Sequence, residues 1–381
     1  MAARQWNSVN PSGKHRIVVT KNLPGSRWLE ILSGAGCAVE VNALPRTLTA
    51  PEIHAAIGER CDGVIGQITE AWGEELFSAL KGAGGRAYSN YAVGFNNIDL
   101  EAATRNGIPV GNTPGVLTET TAELTVALTF AAARRVSESE RFLRAGRWRA
   151  IGWQPTLFLG ERLFRKTLGI VGAGRIGEAY ARMMVEAHKM NLVYFDLRRN
   201  EKLEKHIERY SAFIQVDGLE PISCRRASTV EELLEEADVV SIHTVLDDST
   251  RHLINAERLA RMKPNALLVN ASRGPVIDEA ALVEHCRRHP DFRAGLDVFE
   301  NEPELAPGLA ELENVVLVPH LGSATLWTRE GMGTLAAANV AGILMGYPAW
   351  NRPDVEPFLS ADPPKAAPSI LNAKELGLTL Y

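Results

Sequence analysis

Two hydrophobic periods alternate along this chain. Short apolar runs rich in branched residues, RIVVT at 16–20, CAVEV at 37–41 and DGVIGQ at 62–67, read as strands. Between them SRWLEILSGAG, PEIHAAIGERC and EELFSALKGAGG carry the longer helical period and stop on glycine. AYSNYAV and GIPVGN continue the alternation. A strand–helix rhythm of this kind predicts a parallel sheet with helices on both faces. From Thr118 to Arg144 the pattern is one unbroken helical stretch without Gly or Pro, which at about 1.5 Å per residue would reach about 40 Å.

A second series begins at KTLGIVGAGRIG. Strand-like runs recur at 191–196, 238–244, 265–271, 293–299 and 314–320, with helical segments such as TVEELLEEA and DEAALVEHCRRH between them. These runs predict a complete doubly wound unit of about 200 residues. A last helix, TREGMGTLAAANVAGILMG, precedes a Pro-rich tail from Tyr347 that reads as irregular. The fold class expected is therefore α/β, with two Rossmann-like doubly wound lobes, parallel sheets and a cleft between the lobes. The nucleotide lobe, 117–325, is inserted into a substrate lobe made of 1–116 and 326–381.

Composition narrows the possibilities. At 381 residues, 45% hydrophobic and 23% charged, the chain has the make-up of a globular protein with room for two or three domains. A net charge of −5 without a basic block argues against nucleic acid as a partner. No apolar run approaches a membrane span, and the N-terminal stretch lacks the apolar core of a secretory signal. Cys37, Cys61, Cys224 and Cys286 are scattered without metal-ligand spacing, so no metal is expected and a reducing compartment, the cytoplasm, is.

Gly172-Ala173-Gly174-Arg175-Ile176-Gly177 falls between a strand and a helix, the context that gives G-x-G-x-x-G its meaning. The first glycine permits a tight turn, the second lets backbone approach a pyrophosphate, and the third lets helix and strand pack closely. Asp196 ends the next strand, 24 residues after Gly172, where a carboxylate accepts from both ribose hydroxyls and repels a 2′-phosphate. NADH is thus preferred, with NADPH as the alternative because Arg198 and Arg199 follow directly.

Three further residues carry chemistry. Arg273 lies just past a buried strand, Glu302 follows the next strand together with Asp297, and His320 ends the last one. All point to the carboxyl edge of one sheet, where ligands of such folds bind. An arginine fork suits a carboxylate, a histidine can give or take one proton, and a carboxylate can hold the histidine. Together they suit the reduction of a small 2-oxo acid to a 2-hydroxy acid.

With VGAGRIG, SRGPVIDE and GLDVFENEP followed by VPHLGSA in order, and 29 residues from Arg273 to Glu302, the chain resembles the D-isomer-specific 2-hydroxyacid dehydrogenase family. The resemblance implies that Arg273, Glu302 and His320 are catalytic. It implies that the backbone amides of Val93 and Gly94 in AVGFNNID hold the substrate carboxylate. It also places Asp297 against the nicotinamide amide and Thr121 near the nicotinamide, lines the substrate pocket with Ser323 and Trp327, and implies a homodimer in which Trp153 reaches the other subunit's site. Within the family, WNSVNPSGKHRIVVTKNLPGSRW, CDGVIGQITEAWGEELFSALKGAGG, VGNTPGVLTETTAEL and the lengthened connection LEKHIERYSAFIQVDGLEPISCRRAS are similar to the plant-type hydroxypyruvate reductases. That branch implies hydroxypyruvate, and glyoxylate, as substrates. Its members end in S-K-L, which would imply a peroxisome, whereas this chain ends GLTLY. His243-Thr244 stands where many relatives have proline. D-lactate or 3-phosphoglycerate dehydrogenation is the alternative within the class. An NADH-sensing corepressor is the alternative outside it, but long partner-binding extensions are missing.

Overall fold

The computed structural model describes residues 5–350 and 352–381, which divide into two compact units. One is formed by residues 1–117 and 324–381, the other by residues 118–323.

The first unit is built on a six-stranded sheet. Its strands are β1 (Trp6–Val9), β2 (His15–Val19), β3 (Cys37–Asn42), β4 (Gly63–Gly66), β5 (Ala87–Asn90) and β6 (Val110–Gly111), in the spatial order β1-β3-β2-β4-β5-β6. Strands β2 to β6 are parallel. The period of two sorts their side chains: Ile17 and Val19 enter one core cluster and Val18 the other, so both faces are covered. β1 departs from the expected all-parallel sheet. It runs antiparallel along the edge, Trp6 opposite Asn42, and is followed by a tight turn in which the Gly13 N–H donates to Asn10 O. A side chain at Gly13 would meet the Ala38 nitrogen at 2.3 Å, so only glycine lets the turn pass this close to β3.

The second unit carries a seven-stranded, all-parallel sheet. β7 (Thr167–Val171), β8 (Asn191–Phe195), β9 (Cys224–Arg226), β10 (Val239–Ile242), β11 (Leu267–Asn270), β12 (Arg293–Leu296) and β13 (Val315–Leu317) lie in the order β13-β12-β11-β10-β7-β8-β9. Counted within the unit this is 3-2-1-4-5-6 with one strand added, so the order reverses between β7 and β10. The lengthened connection after Asp196 contributes the helix Glu201–Val216, which leads on to edge strand β9.

The single long helix expected over 118–144 is two helices, Thr118–Ala133 and Val136–Arg144. Arg135 between them is left-handed, with φ 54°. Tertiary contacts override the local propensity. The Glu161 N–H takes the Ala133 carbonyl, and the Arg135 guanidinium forks onto Glu138 at 2.6 and 2.7 Å. Glu138 is itself buried, with Arg293 3.9 Å away. The first helix therefore spans about 24 Å rather than 40.

Candidate active site

The glycine turn sits at the point where the strand order reverses. Gly172 has φ 94°, and a Cβ there would lie 2.7 Å from the His243 carbonyl carbon. A Cβ on Gly177 would lie 2.1 Å from Gly172 O, so the helix Arg175–His188 rides directly on the turn. Gly174 is different: nothing lies within 4 Å of a Cβ built there. Backbone is thus exposed at the start of a 14-residue helix, whose first N–H groups have no intrahelical partner. Asp196 follows β8 and reaches back, its Oδ2 accepting from the Ala173 N–H at 2.9 Å and its Oδ1 from the Arg198 N–H at 3.0 Å. Of the two arginines beside it, Arg199 is held by Glu204 at 2.7 Å. The residues present fit a dinucleotide: open backbone for the pyrophosphate and a carboxylate at the ribose end.

The carboxyl ends of β11, β12 and β13 carry the other groups. Asn270 closes β11 and folds the turn after it, donating to Arg273 O at 2.9 Å and accepting from the Ser272 N–H and hydroxyl. This turn presents Arg273, half-buried. Burial lowers the Arg273 pKa and the Glu302 charge works against that; an arginine remains a cation throughout. A Cβ on Gly274 would lie 1.9 Å from Phe299 C and O, so backbone touches backbone between the turn after β11 and the loop after β12.

Asp297, directly after β12, is 1% exposed and has both oxygens occupied. They accept from the N–H groups of Leu321 and Gly322. Burial pushes its carboxyl up against the pull of those two N–H groups and of His320. Its backbone carbonyl accepts the His320 N–H at 2.8 Å. Asp297 therefore fixes the turn 320–322, in which His320 is held left-handed at φ 53°. Such a conformation costs about 1–3 kcal/mol and persists only where neighbours impose it. Thr121 joins the same turn, its hydroxyl donating to Gly322 O at 3.1 Å.

His320 Nδ1 lies 2.8 Å from Glu302 Oε2, while Glu302 Oε1 accepts from the Phe299 N–H at 3.0 Å. Burial pushes the Glu302 carboxyl up, but the His320 contact, the Phe299 N–H and Arg273 outweigh it and hold the carboxyl below its usual range. A carboxylate on one imidazole nitrogen fixes the ring and leaves the other nitrogen to exchange a proton.

Val93 and Gly94 belong to the first unit. Their carbonyls are tied down by Asn112 Nδ2 at 2.8 Å and Asn90 Nδ2 at 2.9 Å, and Asn97 pins the far side of the loop to Gln67 O and Glu70 O. Among the described residues the N–H groups of Val93 and Gly94 have no hydrogen-bond partner. Trp327, on the helix Leu326–Leu344 of the same unit, is exposed, and Ser323 ends the second unit half-buried. Trp153 is 76% exposed.

Sequence reasoning missed the supports. Asn270, Asn90 and Asn112 are polar residues just at or past strand ends, a visible signal; buried Glu279 at a helix start looks like an ordinary first-turn acid.

Residues 126–322 match the family model described as D-isomer specific 2-hydroxyacid dehydrogenase, NAD binding domain. The chain is 58% identical over 373 residues to the peroxisomal glycerate dehydrogenase HPR of Arabidopsis thaliana, covering 97% of this chain and 96% of the relative. The chain belongs to the D-isomer specific 2-hydroxyacid dehydrogenase family. Another member of that family, the glycerate dehydrogenase of Cucumis sativus, is 58% identical over 97% of each chain. A crystal structure of a Thermus thermophilus protein superposes with a TM-score of 0.77 at 37% identity, covering 93% of this chain and 99% of that one. As a family member the chain is an NAD-binding α/β oxidoreductase, with the glycine turn, Asp196, Asp297, Arg273 and Glu302 all inside the matched domain.

Proposed function

We propose that this dehydrogenase reduces hydroxypyruvate to D-glycerate with NADH, and glyoxylate to glycolate by the same chemistry. The observation that carries the reading is the Glu302–His320 pair at 2.8 Å beside Arg273, in a chain 58% identical to two plant glycerate dehydrogenases along nearly its whole length. Gly172 to Gly177, with Arg175 and Ile176 at the helix start, hold the pyrophosphate, and Asp196 the ribose. Thr121 and Asp297 border the nicotinamide end. When bound, the reduced nicotinamide supplies a hydride for the keto carbon. Protonated His320 donates from Nε2 to the keto oxygen as negative charge develops there, Glu302 stabilises the imidazolium, and Arg273 draws charge onto the oxygen and the carboxylate. The free N–H groups of Val93 and Gly94 take the substrate carboxylate, and Ser323 and Trp327 line the rest of the substrate's surroundings.

The active form in this reading is a homodimer. Trp148, Ile151, Trp153 and Leu159 are exposed within one short stretch and give a second copy an apolar surface to cover. The four free cysteines suit a reducing compartment, and the cytoplasm is the proposed location.

Initial rates with hydroxypyruvate, glyoxylate and pyruvate, each with NADH and with NADPH, test the proposal. Hydroxypyruvate with NADH should give the highest kcat/KM. A higher value for pyruvate overturns the substrate, and failure of every 2-oxo acid to oxidise either cofactor overturns the enzyme.

A further inference from the structure

Glu279 opens the helix Glu279–Arg288, is 2% exposed, and its charge is spent neither on a cation nor on solvent. Its Oε1 accepts the Glu300 N–H at 2.6 Å and its Oε2 the Ala306 N–H at 3.2 Å. Those two amides bracket the loop that carries Glu302. The tie is reciprocal, because the Glu279 N–H points at Glu300 Oε2 at 3.5 Å. Both Glu279 oxygens receive N–H groups, an arrangement that favours the carboxylate. A helix N-terminus favours the same ionised form.

We propose that Glu279 is a positioning residue for the Glu302–His320 pair: its carboxylate clamps the 300–306 loop and sets the negative field in which the pair holds its proton. The inference rests on the reading of that pair as the proton donor. Other charges face the pair as well. Arg273 stands on the turn after β11, Asp297 at the end of β12, and Glu300 beside Glu302, itself in contact with His252 at 2.7 Å and paired with Arg251 at 3.4 Å. Burial, with the charges of Glu300 and Glu302, raises the Glu279 carboxyl against the pull of its two N–H donors, as expected for carboxylates that feel one another.

The test is a pH profile of kcat/KM for hydroxypyruvate in the full chain and in the Glu279→Gln and Glu279→Asp variants, with NADH binding followed by fluorescence. Glutamine removes the charge and one of the two acceptors. Its kcat should fall about tenfold to a hundredfold, as for a small misplacement of a catalytic group, and its alkaline limb should move to lower pH, because less negative field holds the proton. Aspartate keeps the charge but cannot reach both amides. It should lose kcat while its alkaline limb stays near that of the wild type. NADH affinity should change less than about twofold in either. A glutamine variant that loses kcat with an unmoved limb would make Glu279 merely structural and overturn the proposal, as would wild-type kcat in either variant. If the glutamine variant does not fold, Glu279→Ala, which also lacks the charge, takes its place in the pH profile, and an unmoved alkaline limb there overturns the proposal. If His320→Gln keeps its turnover, the reading of the pair fails instead, whatever the Glu279 variants do.

Discussion

Replacing His320 by glutamine removes the only imidazole within reach of Glu302 among the described residues while leaving the backbone of the turn in place. That turn is held by Asp297, through the His320, Leu321 and Gly322 N–H groups, and none of these bonds uses the imidazole. The left-handed backbone at 320 is therefore still imposed on the new residue. Two things are lost. General acid catalysis is worth about 10²–10⁴-fold, or roughly 3–5 kcal/mol of barrier. Glu302 also loses the largest of the contacts that together offset its burial, so its carboxyl rises and the field around Arg273 weakens further. The glycine turn and Asp196 are untouched. Steady-state kcat/KM for hydroxypyruvate at neutral pH should therefore drop at least a hundredfold, with the NADH Kd, from quenching of protein fluorescence, within about twofold of wild type. Turnover above a tenth of wild type with intact NADH binding would refute the role of His320 as the proton donor.

Gly274→Ala puts a methyl group 1.9 Å from the Phe299 carbonyl, and the backbone must part; overpacking costs about 1–3 kcal/mol, so Tm should fall by several degrees and activity should drop with it. Asp196→Asn removes a charged acceptor worth about 1.5–3 kcal/mol, so the KM for NADH should rise about tenfold or more while that for NADPH changes less; an unchanged preference in initial rates would contradict the ribose assignment. Acid should destabilise the fold through two partly buried histidines: burial lowers His243 to about 3 and burial with His289 lowers His285 to about 4. Their contribution is complete above the unfolded value near 6.5 and is lost as pH falls from there, towards 3 for His243 and towards 4 for His285, with solvent screening making the half-exposed His285 the smaller contributor. Thermal melts between pH 7 and 4 should show this loss, and His243→Gln should flatten it.

How far the sequence discloses this molecule depends on where the determining contacts lie. The glycine turn was legible because strand, glycines and helix are adjacent along the chain, and their periods alone show it. The Arg273, Glu302 and His320 ends of three strands were legible because a parallel sheet puts all such ends on one edge. The break at Arg135 was not, since local propensity favours helix there and the contacts that end it come from Glu161 and from the buried Glu138–Arg293 neighbourhood. β1 escaped for a similar reason: a four-residue edge strand with two exposed positions carries too little pattern, and only its pairing with β3 defines it. Glu279 shows the same limit, because burial under the 300–306 loop is a property of the folded chain and not of its neighbours in sequence.

The contact of Gly274 with Phe299 and Glu300 has a consequence for how such a protein can change. Two loops whose main chains lie against each other share one length standard. A residue inserted or deleted between Asn270 and Gly274 would slide the arginine past a fixed rail, and the same change between Asp297 and Glu302 would slide the rail past the arginine. Neither loop can be lengthened alone without moving Arg273 relative to Glu302, and the proposed mechanism needs the two together. Variation in this part of the chain is thus confined to side chains, or to paired length changes in both loops, and swapping either loop singly from a relative with different spacing should give a folded but idle protein.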